Sequence, residues 1–118
     1  MNLLEIHEVM TKTQAGEMIF PDVVARLSAA GVESYFCDLA AAQETVYGLA
    51  GETHIAAMTL SGGAVAETYS AEGIVAAIRG AQADRVRYPE FVTLARAAGV
   101  TAYWAFLTGR QVIYFGRK

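Results

Sequence analysis

Tyr88-Pro89-Glu90-Phe91-Val92, followed by Ala97-Ala98-Gly99-Val100, repeats without a gap what the chain has already done at Phe20-Pro21-Asp22-Val23-Val24 and Ala29-Ala30-Gly31-Val32. The offset is 68 residues (88 − 20), and it holds in both directions. Ile6, Gln14 and Ala15 match Ile74, Gln82 and Ala83 upstream; Tyr35, Leu39, Gln43 and Gly48 match Tyr103, Leu107, Gln111 and Gly116 downstream. About 13 of 47 aligned pairs are identical, where roughly four are expected from so Ala-rich a composition. Many of the matched residues set backbone geometry, so the chain reads as two tandem copies of one structural unit.

Each unit opens on an amphipathic helix. Ile6, Val9, Met10 and Thr13 recur at i, i+3, i+4 and i+7, with Glu5, His7, Glu8 and Lys12 off that stripe. The spacing predicts a helix over residues 2 to about 16, stopped by Gly16. Ile74, Ala77, Ile78 and Ala81 repeat the stripe, with Ser70 where an N-cap belongs and Glu72 in the first turn, near the positive end of the helix dipole. A shorter second helix enters at Pro21 or Pro89, followed by Asp22 or Glu90, and ends at Gly31 or Gly99. It is expected to turn Val23, Val24 and Leu27, or Phe91, Leu94 and Ala95, toward the core.

Residues 32–39 and 100–107 are short and rich in aromatic and β-branched side chains, which predicts strands. The second is apolar on both faces, as a mid-sheet strand covered on both sides would be. Thr108-Gly109-Arg110 reads as a tight hairpin into a return strand at 111–115, matched by 43–47 in the first unit. Residues 54–60 read as a third strand with no counterpart in the second unit, Ser61-Gly62-Gly63 as the join between copies, and 64–69 as an extended connection. The expectation is a single α+β domain over residues 1–118, with unit one at 2–60 and unit two at 70–116. This internal duplication of a helix-helix-strand-strand unit gives one mainly antiparallel sheet of about five strands packed with four helices. A pseudo-two-fold axis relating the units would bring Tyr35 to Tyr103 and Gln43 to Gln111.

Composition narrows the classes of function. The net charge is −3 and the nine Lys and Arg residues form no stripe, which argues against nucleic acid as a partner. Cys37 is the only cysteine, so no internal disulfide or cysteine-based metal cluster can form, and a reducing, cytoplasmic setting fits. Neither a signal peptide nor a membrane span is legible. With 54% apolar and 18% charged residues, apolar surface is expected to be covered by a second copy, making a homodimer, or by another protein.

Candidate chemistry is sparse. His54 stands near Glu52 and could act as a base, against the plainer reading of a strand-edge histidine; His7, among Glu5, Glu8 and Lys12, reads as a solvated surface residue. Cys37 reads as a small buried hydrophobe, its counterpart being Ala105. Asp38 occupies the register of Phe106, so its carboxylate must find partners or a solvent opening. Tyr35 and Tyr103 could point hydroxyls into a cleft, although aromatics at strand spacing are more often core. Arg110, the one cation of the second hairpin, could pair with Asp38 or help it orient a polar ligand. The candidate ligand-binding set is therefore Tyr35, Asp38, Tyr103, Arg110 and His54. No phosphate loop, dinucleotide fingerprint or zinc spacing is present, so no cofactor and no metal is implied.

The run Phe20-Pro21 with residues 29–35, Asp38-Leu39 and 45–48 resembles the YbcV-like family of small bacterial proteins of unknown function. So do Tyr88-Pro89-Glu90-Phe91, Ala98-Gly99-Val100 with Tyr103, Leu107-Thr108-Gly109-Arg110 and residues 112–116. The resemblance spans nearly the whole chain and implies a shared fold; its motifs carry no catalytic signature. The label phage envelope protein, often attached to that family, would imply a prophage-derived structural role. Absence of catalytic spacing together with the apolar content favours a non-enzymatic binding or protein-interaction module with a small-molecule cleft near the axis. The alternative is a small isomerase- or hydrolase-type enzyme using Asp38 or His54 as base and Tyr35 or Tyr103 as proton donor.

Overall fold

The computed structural model describes residues 1–60 and 62–118, and its elements fall in the order α1 (Leu3–Gln14), α2 (Phe20–Ala29), β1 (Val32–Asp38), β2 (Gln43–Gly48), β3 (Thr53–Ala57), α3 (Ala71–Gln82), α4 (Tyr88–Ala97), β4 (Val100–Phe106) and β5 (Gln111–Gly116). Every element of the second unit begins and ends at the offset read from the sequence. The caps repeat as well: Asn2 accepts from the Glu5 N–H at the start of α1, and Ser70 accepts from the Gly73 N–H at the start of α3. Left-handed backbone recurs at Gly31 and Gly99, at Ala42 and Arg110, and at Gly16 and Asp84. Ser61, read as part of the join, lies outside the described residues.

The five strands form one antiparallel sheet in the order β3-β2-β1-β4-β5. Its centre is the β1–β4 pair, in which Tyr35 faces Ala105, Phe36 faces Trp104 and Cys37 faces Tyr103. Because Phe36 and Trp104 are repeat equivalents paired with each other, the pseudo-two-fold axis passes between them. Symmetric backbone bonds flank it, from Leu39 N–H to the Thr101 carbonyl and from Leu107 N–H to the Glu33 carbonyl, 2.8 and 3.0 Å. The outer hairpins carry the same irregularity, a register shift between Val32 and Ser34 and between Val100 and Ala102.

All four helices lie on one face of the sheet. Strand alternation sends Glu44, Val46, Tyr35, Cys37, Tyr103, Ala105, Val112 and Tyr114 toward them. The core joins both units, with Ile6, Val9, Val32, Leu39, Val46, Val92 and Val100 almost fully covered. Among the described residues no helix covers the opposite face. The apolar second face of β4 is therefore not covered as its composition suggested; its aromatics shield one another instead. Trp104 stacks on Phe106 at 5.2 Å and on Tyr47 at 5.5 Å, and meets Phe36 edge-on at 5.3 Å. Ile55, Ile113 and Phe115 on that face remain 40–60% exposed.

Other expectations shift locally. Helix α2 starts at Phe20, placing Pro21 second, where a missing N–H is still without cost. Leu94 is exposed and Val92 takes the core position; the helix position of Leu94 is the one that Arg26 holds in the first unit. Strand β3 ends at Ala57, after which the Met58 N–H turns to the Ala42 carbonyl and the Thr59 N–H to the Gln14 amide oxygen. In the second hairpin Arg110 takes the left-handed conformation, with φ 55°.

Candidate functional site

Between the helical layer and the sheet lies a cavity of about 320 Å³, large enough for a small organic molecule. Met10, Thr13 and Gln14 of α1, Val23 and Leu27 of α2, Ile78 and Ala81 of α3, and Tyr88 and Phe91 of α4 form its helical wall. Its floor is Tyr35, Glu44, Tyr103, Ala105, Val112 and Tyr114. The duplicated backbone makes the enclosure symmetric, while divergence between the copies makes its chemistry one-sided. Where the second unit lines it with Val112, the first supplies Glu44; where the first supplies Phe20, the second supplies Tyr88, and the second alone adds Tyr114, whose equivalent is Val46.

The polar groups of that side converge. Tyr88 and Tyr103 share a hydroxyl–hydroxyl bond of 2.8 Å, and the Tyr88 hydroxyl approaches the Cys37 sulfur at 4.0 Å. Tyr103 meets Tyr35 and Phe91 edge-on, both at 6.3 Å, and lies 5.7 Å from Tyr114. Glu44 is held inward because β2 alternates and Val46, two residues on, faces the same way. It is 6% exposed, and among the described residues no Lys, Arg, His or N-terminal nitrogen lies within 4.0 Å of its carboxylate.

Burial governs the protonation of this cluster. It raises Glu44 to about 7, an effect opposed by the hydrogen bond from Cys37. It pushes Tyr35, Tyr88 and Tyr103 well above the usual phenol range, Tyr114 up to about 12, and the Cys37 thiol well above its ordinary value. At neutral pH the tyrosines and the thiol are therefore neutral donors, and Glu44 is the group poised to change charge. A neutral, buried Cys37 is no nucleophile.

The residues singled out from sequence divide clearly. Tyr35 and Tyr103 meet across the axis in the cavity floor. Asp38 stands apart at the end of β1, where its carboxylate accepts the backbone N–H groups of Ala40 and Ala41 at 3.0 and 2.8 Å and so shapes the turn into β2. Arg110 is exposed in the β4–β5 hairpin, at the opposite end of the central pair from Asp38, so the two do not pair. Gln43 and Gln111 are exposed at those same two ends and do not meet. The imidazole of His54 is turned to His7, Nε2 to Nε2 at 2.9 Å, and not to Glu52, which accepts the Ala50 N–H at 3.0 Å. His7 is exposed, yet this contact ties α1 to β3.

Sequence reasoning passed over Glu44 and Tyr88. The signal for Glu44 was present: its repeat equivalent is Val112 and its strand neighbour at i+2 is Val46, the same mismatch of charge with apolar register that singled out Asp38. Tyr88 carried no such mark, since an aromatic ahead of the helix proline also occurs at Phe20. The chain matches no protein-family model, and no curated protein is significantly similar to it. The resemblance to the YbcV-like family stands on the quoted residues alone.

Proposed function

We propose that this protein is a binding module that takes a small, largely apolar molecule into the cavity between its helices and sheet. The observation that carries this reading is the joining, in one cavity of about 320 Å³, of apolar walls with a few convergent polar groups, Glu44 and the Tyr88–Tyr103 pair. Ligand sites have that composition, whereas an ordinary core closes such space with side chains. Thermal denaturation of the full chain with one- and two-ring aromatic compounds tests it. Ligands should raise the melting temperature of the wild type and not of Ala105→Leu, whose side chain enters the same space. The absence of any shift at millimolar concentrations, or equal shifts in both proteins, would refute it.

A catalytic reading of the same cavity is favoured by one observation, a carboxyl group near neutrality facing tyrosine hydroxyls. Glu44 then takes the part of the base earlier sought in Asp38 or His54, with Tyr103 as proton donor, and turnover would be lost in Glu44→Gln. Association through the open sheet face is supported separately by exposed Ile55, Ile113 and Phe115. Light scattering decides that point, since a strict monomer at high concentration removes it.

A further inference from the structure

The Glu44 carboxyl is the one feature of the cavity that apolar ligand binding alone leaves unexplained. The other copy of the unit places Val112 at the same register, so the fold accepts an aliphatic side chain there. A buried carboxylate without a cation is costly, a cost that a hydrocarbon at the same position would not carry. Among the described residues, the groups facing Glu44 include one cation, Arg87, and it is bonded elsewhere. From the strands it meets Cys37, Tyr35, Tyr103 and Tyr114, with His54 two residues from Ala56 on the neighbouring strand and turned to His7. The helical wall contributes Tyr88, the amides of Gln14 and Gln82, and the Asp84–Arg87 ion pair. Arg87 Nε donates to Asp84 at 2.6 Å and its Nη1 to the Gly16 carbonyl at 3.0 Å, so that cation is already engaged.

Resting on the binding reading above, we infer that the ligand is an apolar organic cation, an arylalkylamine or arylamidine of one or two rings, whose charged end pairs with Glu44. The rings of Tyr35, Tyr88, Phe91, Tyr103 and Tyr114 surround the space beside the carboxylate, and aromatic faces attract cations most strongly where water is excluded. An inorganic divalent ion is a poor fit, since it needs six or more oxygen ligands and the walls are mostly carbon. An anion would meet the carboxylate head-on. The size follows from volume, the cavity being about twice the roughly 150 Å³ of an apolar cavity known to take up benzene.

Calorimetric titration of the full chain with 1-naphthylmethylamine, its neutral isostere 1-naphthylmethanol and the anion 1-naphthoate tests the charge requirement. The amine should bind roughly tenfold or more tighter than the alcohol at pH 8, and naphthoate not detectably. In Glu44→Gln the advantage of the amine should vanish while alcohol binding stays within about threefold. On the wild type alone, which needs no variant to fold, amine affinity should rise from pH 5 to pH 8 as Glu44 ionises, with the alcohol unchanged; the other facing phenols and the thiol are held neutral by burial over that span. Equal, pH-independent binding of amine and alcohol would overturn the cation assignment and leave the binding reading intact. If none of the three binds, both fall.

Discussion

A carboxyl group that titrates at about 7 when folded and at its ordinary 4.5 when unfolded makes stability depend on pH in a definite direction. Below the lower value both states are protonated and Glu44 contributes no difference. Between the two values only the unfolded chain loses the proton, so rising pH favours unfolding. Above the higher value the full penalty is present, on the order of 3 kcal/mol for a group so deeply buried. Glu8, held low by its hydrogen bond from Lys12, and Glu52, held low by the N-terminal amine, work in the opposite sense, so the comparison must be with Glu44→Gln. The stability advantage of that variant in urea denaturation should grow from near zero at pH 4 to its plateau at pH 8; a difference that is flat with pH would contradict the burial argument. Cys37, 1% exposed and held protonated, should resist alkylation at pH 8 except as fast as the fold opens. Labelling of native protein at the rate of a free thiol would show that the strand is more open than described.

At the scale of elements, equivalent glycines close equivalent helices but meet different neighbours. Gly31 and Gly99 both have left-handed backbone, with φ 90° and 83°. A Cβ at Gly31 would find its nearest neighbour, the Met1 Cα, at an ordinary 3.6 Å, so Gly31→Ala should cost only the conformational strain of about 1 to 2 kcal/mol. At Gly99 a Cβ would lie 2.8 Å from the Tyr69 Cα and closer still to the Thr68 carbonyl oxygen, both backbone atoms that cannot swing away. Gly99→Ala should therefore be clearly the more damaging of the two, and equal midpoints in chemical denaturation would refute this. The difference arises because Thr68 and Tyr69 press more closely on Gly99 than Met1, the repeat equivalent of Tyr69, does on Gly31. Such asymmetry cannot be read from two matching Ala-Ala-Gly-Val segments. The exposure of Leu94 could have been, since its equivalent is Arg26.

For the whole molecule, the consequence of duplication is an enclosure built by two copies around one axis and furnished differently by each. Ala105, 2% exposed, lies in its floor opposite Tyr35. Enlarging a residue in a filled core usually costs 1 to 3 kcal/mol, roughly, through strain. Ala105→Leu should instead hold or raise the melting temperature, because its added methyl groups meet open space; a loss of several degrees would show that the space is not open. Tyrosine emission should report ligand entry, whereas Trp104, the only tryptophan, sits on the far face of the sheet and should be little affected. Helix and strand order, the Ser70 cap and the approach of Tyr35 to Tyr103 were legible in the sequence alone, because each rests on local backbone preference or on a repeat that two copies report independently. Which face the helices cover, that Asp38 serves a turn while Glu44 enters the interior, and that His54 finds His7 were decided only in the tertiary structure. Those outcomes depend on strand order and on which side of each strand is buried, and both are settled by contacts between residues far apart in the chain.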